Sequence, residues 1–168
     1  MMLDHLYEAQ TFTPTEMLAV SGLGERNLQV MIQRGHFPRA SRPGRGVRRQ
    51  YSFGDLLFLA FLKLAVDAHI PLAEASVGGL YLFPSMEELV PASIMDVVRS
   101  GDRPDLAPQV FAVFRDGRAP LIVTKKQIDE AWAPIHEGES WGIVINVTRL
   151  VCGTVSSASA ILARRSAA

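Results

Sequence analysis

The sequence predicts an α+β protein, with a mainly α-helical part over residues 1–82 followed by a small α/β module over residues 83–168. Three observations carry this expectation. Two helix starts, Thr13-Pro14-Thr15-Glu16 and Ser52 ahead of a long apolar run, lie in the first part. Short β-rich runs, Val110–Phe114, Leu121–Val123 and Trp141–Val147, lie in the second. The texture changes at Phe83, after which Pro84, Pro91, Pro104 and Pro108 divide the chain into short pieces.

Composition bounds the class. Apolar residues make up 48% of the 168 positions and charged residues 20%, which suits a buried core and excludes disorder throughout. The 17 basic and 17 acidic side chains cancel in total but not locally. From Arg26 to Arg49 there are seven arginines and no Asp or Glu. A local cationic patch, rather than total charge, attracts a polyanion. Cys152 is the single cysteine, so no internal disulfide is expected; it reads as a small buried apolar residue in a reducing cytoplasm. Residues 1–10 do not resemble a signal peptide, and the longest apolar run, Leu56–Leu62, is far short of the roughly 20 residues of a membrane span.

In chain order, Thr13 is the expected N-cap of a first helix, with Pro14 at its first position and Glu16 completing a capping box. Gly22 supplies a sharp turn. A second helix starts near Gly24 or Glu25 and ends at Gly35; Leu28, Met31 and Ile32 face the core, leaving Arg26, Asn27, Gln29, Val30 and Gln33 on the outer surface or its edges. Residues 38–50 hold two Pro, two Gly and five Arg and read as a cationic hairpin or loop. Ser52 caps a core helix from Phe53 to about Ala68, broken by His69-Ile70-Pro71, and a further helix spans Leu72–Leu82. Helical pieces at 85–90 and 92–100 precede a hairpin of Val110–Phe114 with Leu121–Val123, a short helix Lys125–Trp132, a strand Trp141–Val147 and a closing helix from Thr148 to about Arg164. The apolar face of that last helix fits its own sheet and a second subunit equally.

A short helix, a glycine turn and a second helix of about ten residues describe a helix-turn-helix, whose second helix fits the major groove of B-DNA. Arg26, Asn27 and Gln29 are side chains that read base edges, Arg pairing with guanine and Asn or Gln with adenine. Gln33 lies on the same helix. The wing arginines Arg39, Arg42, Arg45, Arg48 and Arg49 suit phosphates and a narrow minor groove.

Residues Phe12–Ser76 resemble the DNA-binding domain of the MerR family of mercury-resistance-type regulators. The resemblance rests on Thr13-Pro14-Thr15-Glu16-Met17-Leu18-Ala19-Val20-Ser21-Gly22-Leu23, on Arg26-Asn27-Leu28-Gln29, on Arg34-Gly35-His36-Phe37-Pro38, and on Arg49-Gln50-Tyr51-Ser52 with Asp55-Leu56. It implies a winged helix-turn-helix acting as a dimer, with contact roles at Arg26, Gln29, Arg48 and Arg49. The family's aromatic run in the recognition helix is replaced by Gln29-Val30-Met31-Ile32, and no heptad pattern continues past residue 82. Tyr51 reads as a residue holding the wing to the core, and His36 as a partly buried structural histidine.

The expected function is a sequence-specific, double-stranded-DNA-binding transcriptional regulator. It is cytoplasmic and nucleoid-associated and works as a homodimer, with RNA polymerase a candidate partner of residues 83–168. The alternatives are a DNA-bending architectural or recombination-directionality factor and a small-molecule-binding protein. An enzyme needs a nucleophile with a base or paired acids. The best cluster, His136-Glu137-Gly138-Glu139 between Trp132 and Trp141, reads as an exposed turn, and His5, His69 and His136 share no ligand spacing. No catalytic residue, metal or cofactor is expected.

Overall fold

The first helix, α1 (Pro14–Ser21), opens on the capping box that the sequence predicts. Thr13 N–H donates to Glu16 Oε2 at 2.8 Å, and Glu16 N–H returns to Thr13 Oγ1 at 3.3 Å. The helix stops at Gly22, whose φ of 69° lies in the left-handed region that favours glycine. In this computed structural model of the chain, residues 11–37, 49–83, 109–115, 121–128, 130 and 142–167 are described.

Helix α2 (Glu25–Gln33) begins three residues after Gly22. Its end is a Schellman motif: Gly35 N–H donates to Ile32 O at 3.2 Å and His36 N–H to Met31 O at 2.9 Å, with Gly35 at φ 73°. Helix α3 (Phe53–Asp67) starts on a second capping box, Ser52 with Asp55. Phe53, Leu56, Leu57, Phe58, Leu59, Phe61, Leu62 and Ala65 are all buried, which makes α3 the central helix. Each buried Leu or Phe contributes about 1.5–3 kcal/mol. The α3 terminus repeats the Schellman pattern with a histidine where glycine is usual: His69, at φ 64°, precedes Ile70, whose N–H reaches Ala65 O at 2.9 Å. Helix α4 covers residues 72–83.

Strands β1 (Val110–Arg115), β2 (Leu121–Thr124) and β3 (Gly142–Asn146) form one antiparallel sheet in the order β2-β1-β3. The expected hairpin is present, with Val110 opposite Thr124 and Val113 opposite Leu121. β3 pairs on the other side of β1, Phe111 opposite Asn146 and Arg115 opposite Gly142. The second part is therefore built of antiparallel pairs with a helix and contains no parallel β-α-β unit among the described residues. Ala112, Val113 and Phe114 are all buried, as suits the middle strand of three. The helix expected over Lys125–Trp132 opens as a 3₁₀ turn at Lys125–Gln127, where Thr124 N–H donates to Gln127 Oε1 at 3.1 Å, and Ile128 and Glu130 beyond it are α-helical.

Helix α5 (Val147–Ser166) follows β3 with no loop. The sequence reading placed Val147 in the strand; it is the first helical residue, because the Asn146 side chain accepts from Arg149 N–H at 2.9 Å and turns the chain at once. The apolar face of α5 is used within the chain: it packs on α3, α1 and β1. One hydrophobic cluster runs from Phe12 and Met17 through α3 to Phe114, Ile145, Val155 and Ile161, so the two sequence segments share a core. Cys152 is buried in α5, as expected of a small apolar residue. Phe61 stacks on Phe114 at 5.8 Å between ring centroids. Two glycines let α4 approach these rings: a Cβ at Gly78 would lie 2.4 Å from Phe114 Cε1, and one at Gly79 2.9 Å from Phe61 Cδ1. Among the described residues no helix is long and apolar enough to cross a membrane.

Candidate nucleic-acid interface

The surface that the sequence singles out centres on α2. Leu28 and Met31 are buried and Ile32 is half-buried against the core, which fixes the rotation of the helix. At about 100° per residue, Arg26, Gln29 and Gln33 then share the opposite face. All three are exposed, with the half-buried Val30 among them. Asn27 is also exposed but stands a quarter turn away. It lines a hollow of about 260 Å³ with Val30, Met31, Lys63, Val66 and Asp67. The fold thus brings together Arg26, Gln29 and Gln33 and sets Asn27 beside them, not among them.

Gln29 Nε2 donates to Glu25 Oε1 at 3.4 Å, a long and weak bond between two exposed side chains. Arg26 and Gln33 hold no partner among the described residues. The far end of α2 is anchored to α4, where Ser76 Oγ, itself buried, donates to His36 O at 2.8 Å. His36 is half-buried, in keeping with a structural role.

Of the wing arginines, Arg39, Arg42, Arg45 and Arg48 lie outside the described residues, as do residues 84–108, Trp132, the cluster at 136–139 and Trp141. Arg49 is described and half-buried. Its Nε is closed off from solvent and makes no hydrogen bond. Arg49 stands two residues before Tyr51, which is 2% exposed, and Tyr51 stacks on Phe37 at 6.2 Å between centroids. The Tyr51 backbone pairs with Phe12: Phe12 N–H donates to Tyr51 O at 2.7 Å, and Tyr51 N–H to Phe12 O at 2.9 Å. Tyr51 therefore ties the segment that follows the 38–48 stretch onto the chain ahead of α1.

Sequence reasoning missed the group that holds this corner from behind. Arg165, in the last turn of α5, donates from Nε to Glu16 Oε1 at 2.8 Å and from Nη2 to Thr11 O at 3.0 Å. Its guanidinium lies 5.5 Å from the centroid of the Phe12 ring. The hydrogen bond from Arg165 lowers the Glu16 carboxyl from 4.5 to about 2, opposed by partial burial and aided by the bonds from Thr13. Glu16 raises the Arg165 guanidinium in turn through the same bond. An arginine pair near a chain end reads in sequence as a helix-dipole partner; no local pattern connects it to a glutamate 149 residues away. Among the described residues no three His, Cys, Asp or Glu gather as a metal site would require.

Comparison with protein-family models finds no match, and comparison with curated proteins finds no significant relative.

Proposed function

We propose that the chain is a sequence-specific reader of double-stranded DNA, built as a winged helix-turn-helix and acting as a transcriptional regulator in the nucleoid of a reducing cytoplasm. The observation that carries the reading is the α2 face. Arg26, Gln29 and Gln33 stand exposed together on the side opposite Leu28 and Met31, on the second helix of a helix–glycine-turn–helix unit. Arg and Gln at such a face form bidentate pairs with guanine and adenine in the major groove. The arginines from Arg39 to Arg49 supply phosphate contacts, and the acid-free run makes binding steeply salt-dependent. The resemblance of residues 12–76 to the MerR-family DNA-binding domain points the same way. Two half-sites read by a homodimer complete the proposal.

The test is to sequence the genomic fragments that the purified protein retains at moderate salt, beside Arg26→Ala and Arg45→Ala variants. The expected result is a short enriched motif with inverted symmetry. Arg26→Ala should relax it at one base step, at a cost of about 1–3 kcal/mol, while Arg45→Ala weakens all duplexes alike. Retention without a motif would favour an architectural role, and no retention would end the DNA reading.

A further inference from the structure

The wall between α1, α3, β3 and the start of α5 encloses an open groove of about 580 Å³. This lies in the range of small-molecule pockets, about 300–1,000 Å³. Its sides are mostly apolar: Val20, Leu64, Val144 and Leu150. Leu64 and Val144 remain 38% and 36% exposed. Two cations, Lys63 and Arg149, reach the groove. Lys63 is neutralised by Asp67 one helical turn on. Arg149 is exposed and its guanidinium meets no acid among the described residues.

Gly153 adds an independent observation. It lies inside the 20-residue helix α5, where glycine is less favourable than alanine. Among the described residues nothing requires it: its φ is not in the left-handed region, and a Cβ there would meet no atom within 4 Å. Gly78 and Gly79 have neighbours that exclude a side chain; Gly153 has open space, and that space is the groove. With no side chain at this position, the α5 backbone lies bare on the wall of the groove, so a ligand body can approach it closely.

We propose that this groove binds an amphipathic organic anion, a carboxylate or sulfonate on an aromatic or short aliphatic body. The body lies on Gly153 between Val20, Leu64 and Leu150, and the charge faces Arg149 at the positive end of α5. This inference does not depend on DNA binding, and its test uses no DNA. The probe is 8-anilinonaphthalene-1-sulfonate, whose fluorescence rises in apolar sites, titrated beside its neutral relative N-phenyl-1-naphthylamine. Saturable binding with one site per chain is expected. Gly153→Leu should weaken both probes at least about tenfold by filling the site, with helical circular dichroism and thermal midpoint retained. Arg149→Gln should weaken the sulfonate about three- to fivefold and leave the neutral probe unchanged.

A Val77→Ser, Tyr81→Ser variant of the exposed apolar stripe on α4 should bind both probes as the parent does; these residues are 56% and 62% exposed. Equal binding by the parent and Gly153→Leu would overturn the proposal, as would loss of binding in the α4 variant instead. Failure of the parent to bind, or equal weakening of both probes by Arg149→Gln, would overturn the anionic ligand class.

Discussion

Replacing Arg165 by methionine removes a guanidinium while keeping most of an apolar stem. The variant loses the bonds to Glu16 Oε1 and Thr11 O and the charge over Phe12. Taken at face value, a Glu16 carboxyl lowered from 4.5 to about 2 represents roughly 3 kcal/mol of favourable interaction. Both partners keep water contact, however, with 36% of the Arg165 side chain and 23% of Glu16 exposed. Thr13 also supplies part of the lowering. Solvent screening reduces the ion pair to about 1 kcal/mol. The Thr11 carbonyl and the Phe12 ring add up to about another 1 kcal/mol. The expected loss at neutral pH is about 1–2 kcal/mol, or about 2–8 °C in thermal midpoint.

The sign of the pH dependence follows from the lowered carboxyl. A group depressed in the folded state stabilises fully above 4.5, and that stabilisation is lost as the pH falls from there through about 2. The gap between parent and variant should therefore narrow in acid. Urea unfolding followed by circular dichroism at neutral pH and at about pH 3 measures it. An equal gap at both pH values, or none at neutrality, would refute the assignment of Glu16 and Arg165 as a working pair.

Gly78→Ala should destabilise the fold by about 1–2 kcal/mol despite the better helix propensity of alanine, because the new methyl group meets the Phe114 ring at 2.4 Å; chemical denaturation reads the change, and a gain in stability would show that the ring yields freely. His69→Gly should raise stability by about 0.5–1 kcal/mol, since histidine at φ 64° bears a strain that glycine does not; a lower thermal midpoint would mean that the imidazole contributes more than the backbone costs. On the DNA reading, Glu25→Gln should tighten binding by about two- to fivefold by removing an exposed negative charge beside the phosphates; fluorescence anisotropy checks this, and weaker binding would instead make Glu25 a base contact.

What was legible in the sequence was chemistry local to the chain. The capping box of Thr13 with Glu16 is readable because a side chain three residues on completes the bond, and Ser52 is readable as a cap; that Asp55 completes a second box was seen only in the structure. Gly22 and Gly35 are readable because left-handed backbone favours one residue type. The apolar spacing of Leu28 and Met31 oriented α2 and with it Arg26, Gln29 and Gln33. Sequence reasoning grouped Asn27 with them as a base reader, whereas the fold sets it on the wall of a side hollow. The β1–β2 hairpin was visible from its two apolar runs, whereas the junction of β3 and α5 was placed one residue late because Asn146 reads equally well as a strand end and a cap. The Arg165–Glu16 contact and the groove at Gly153 were invisible, since both depend on elements far apart in sequence. The glycine carried the one available signal, a break in an otherwise good helix pattern.

The Arg165 contact has a further consequence, for the order in which the molecule is made. Thr11 and Arg165 lie 154 residues apart, so the partner of the first helix leaves the ribosome long after that helix does. Until then Glu16 has only Thr13 to hold it, and the aromatic corner of Phe12 lacks its cover. Closing a loop of that length is entropically expensive and comes late, which favours slow folding. A nascent chain therefore cannot present α2 on a finished scaffold while α5 is still being translated. On the DNA reading, the delay keeps a half-built reader from its target until α5 is there to hold it.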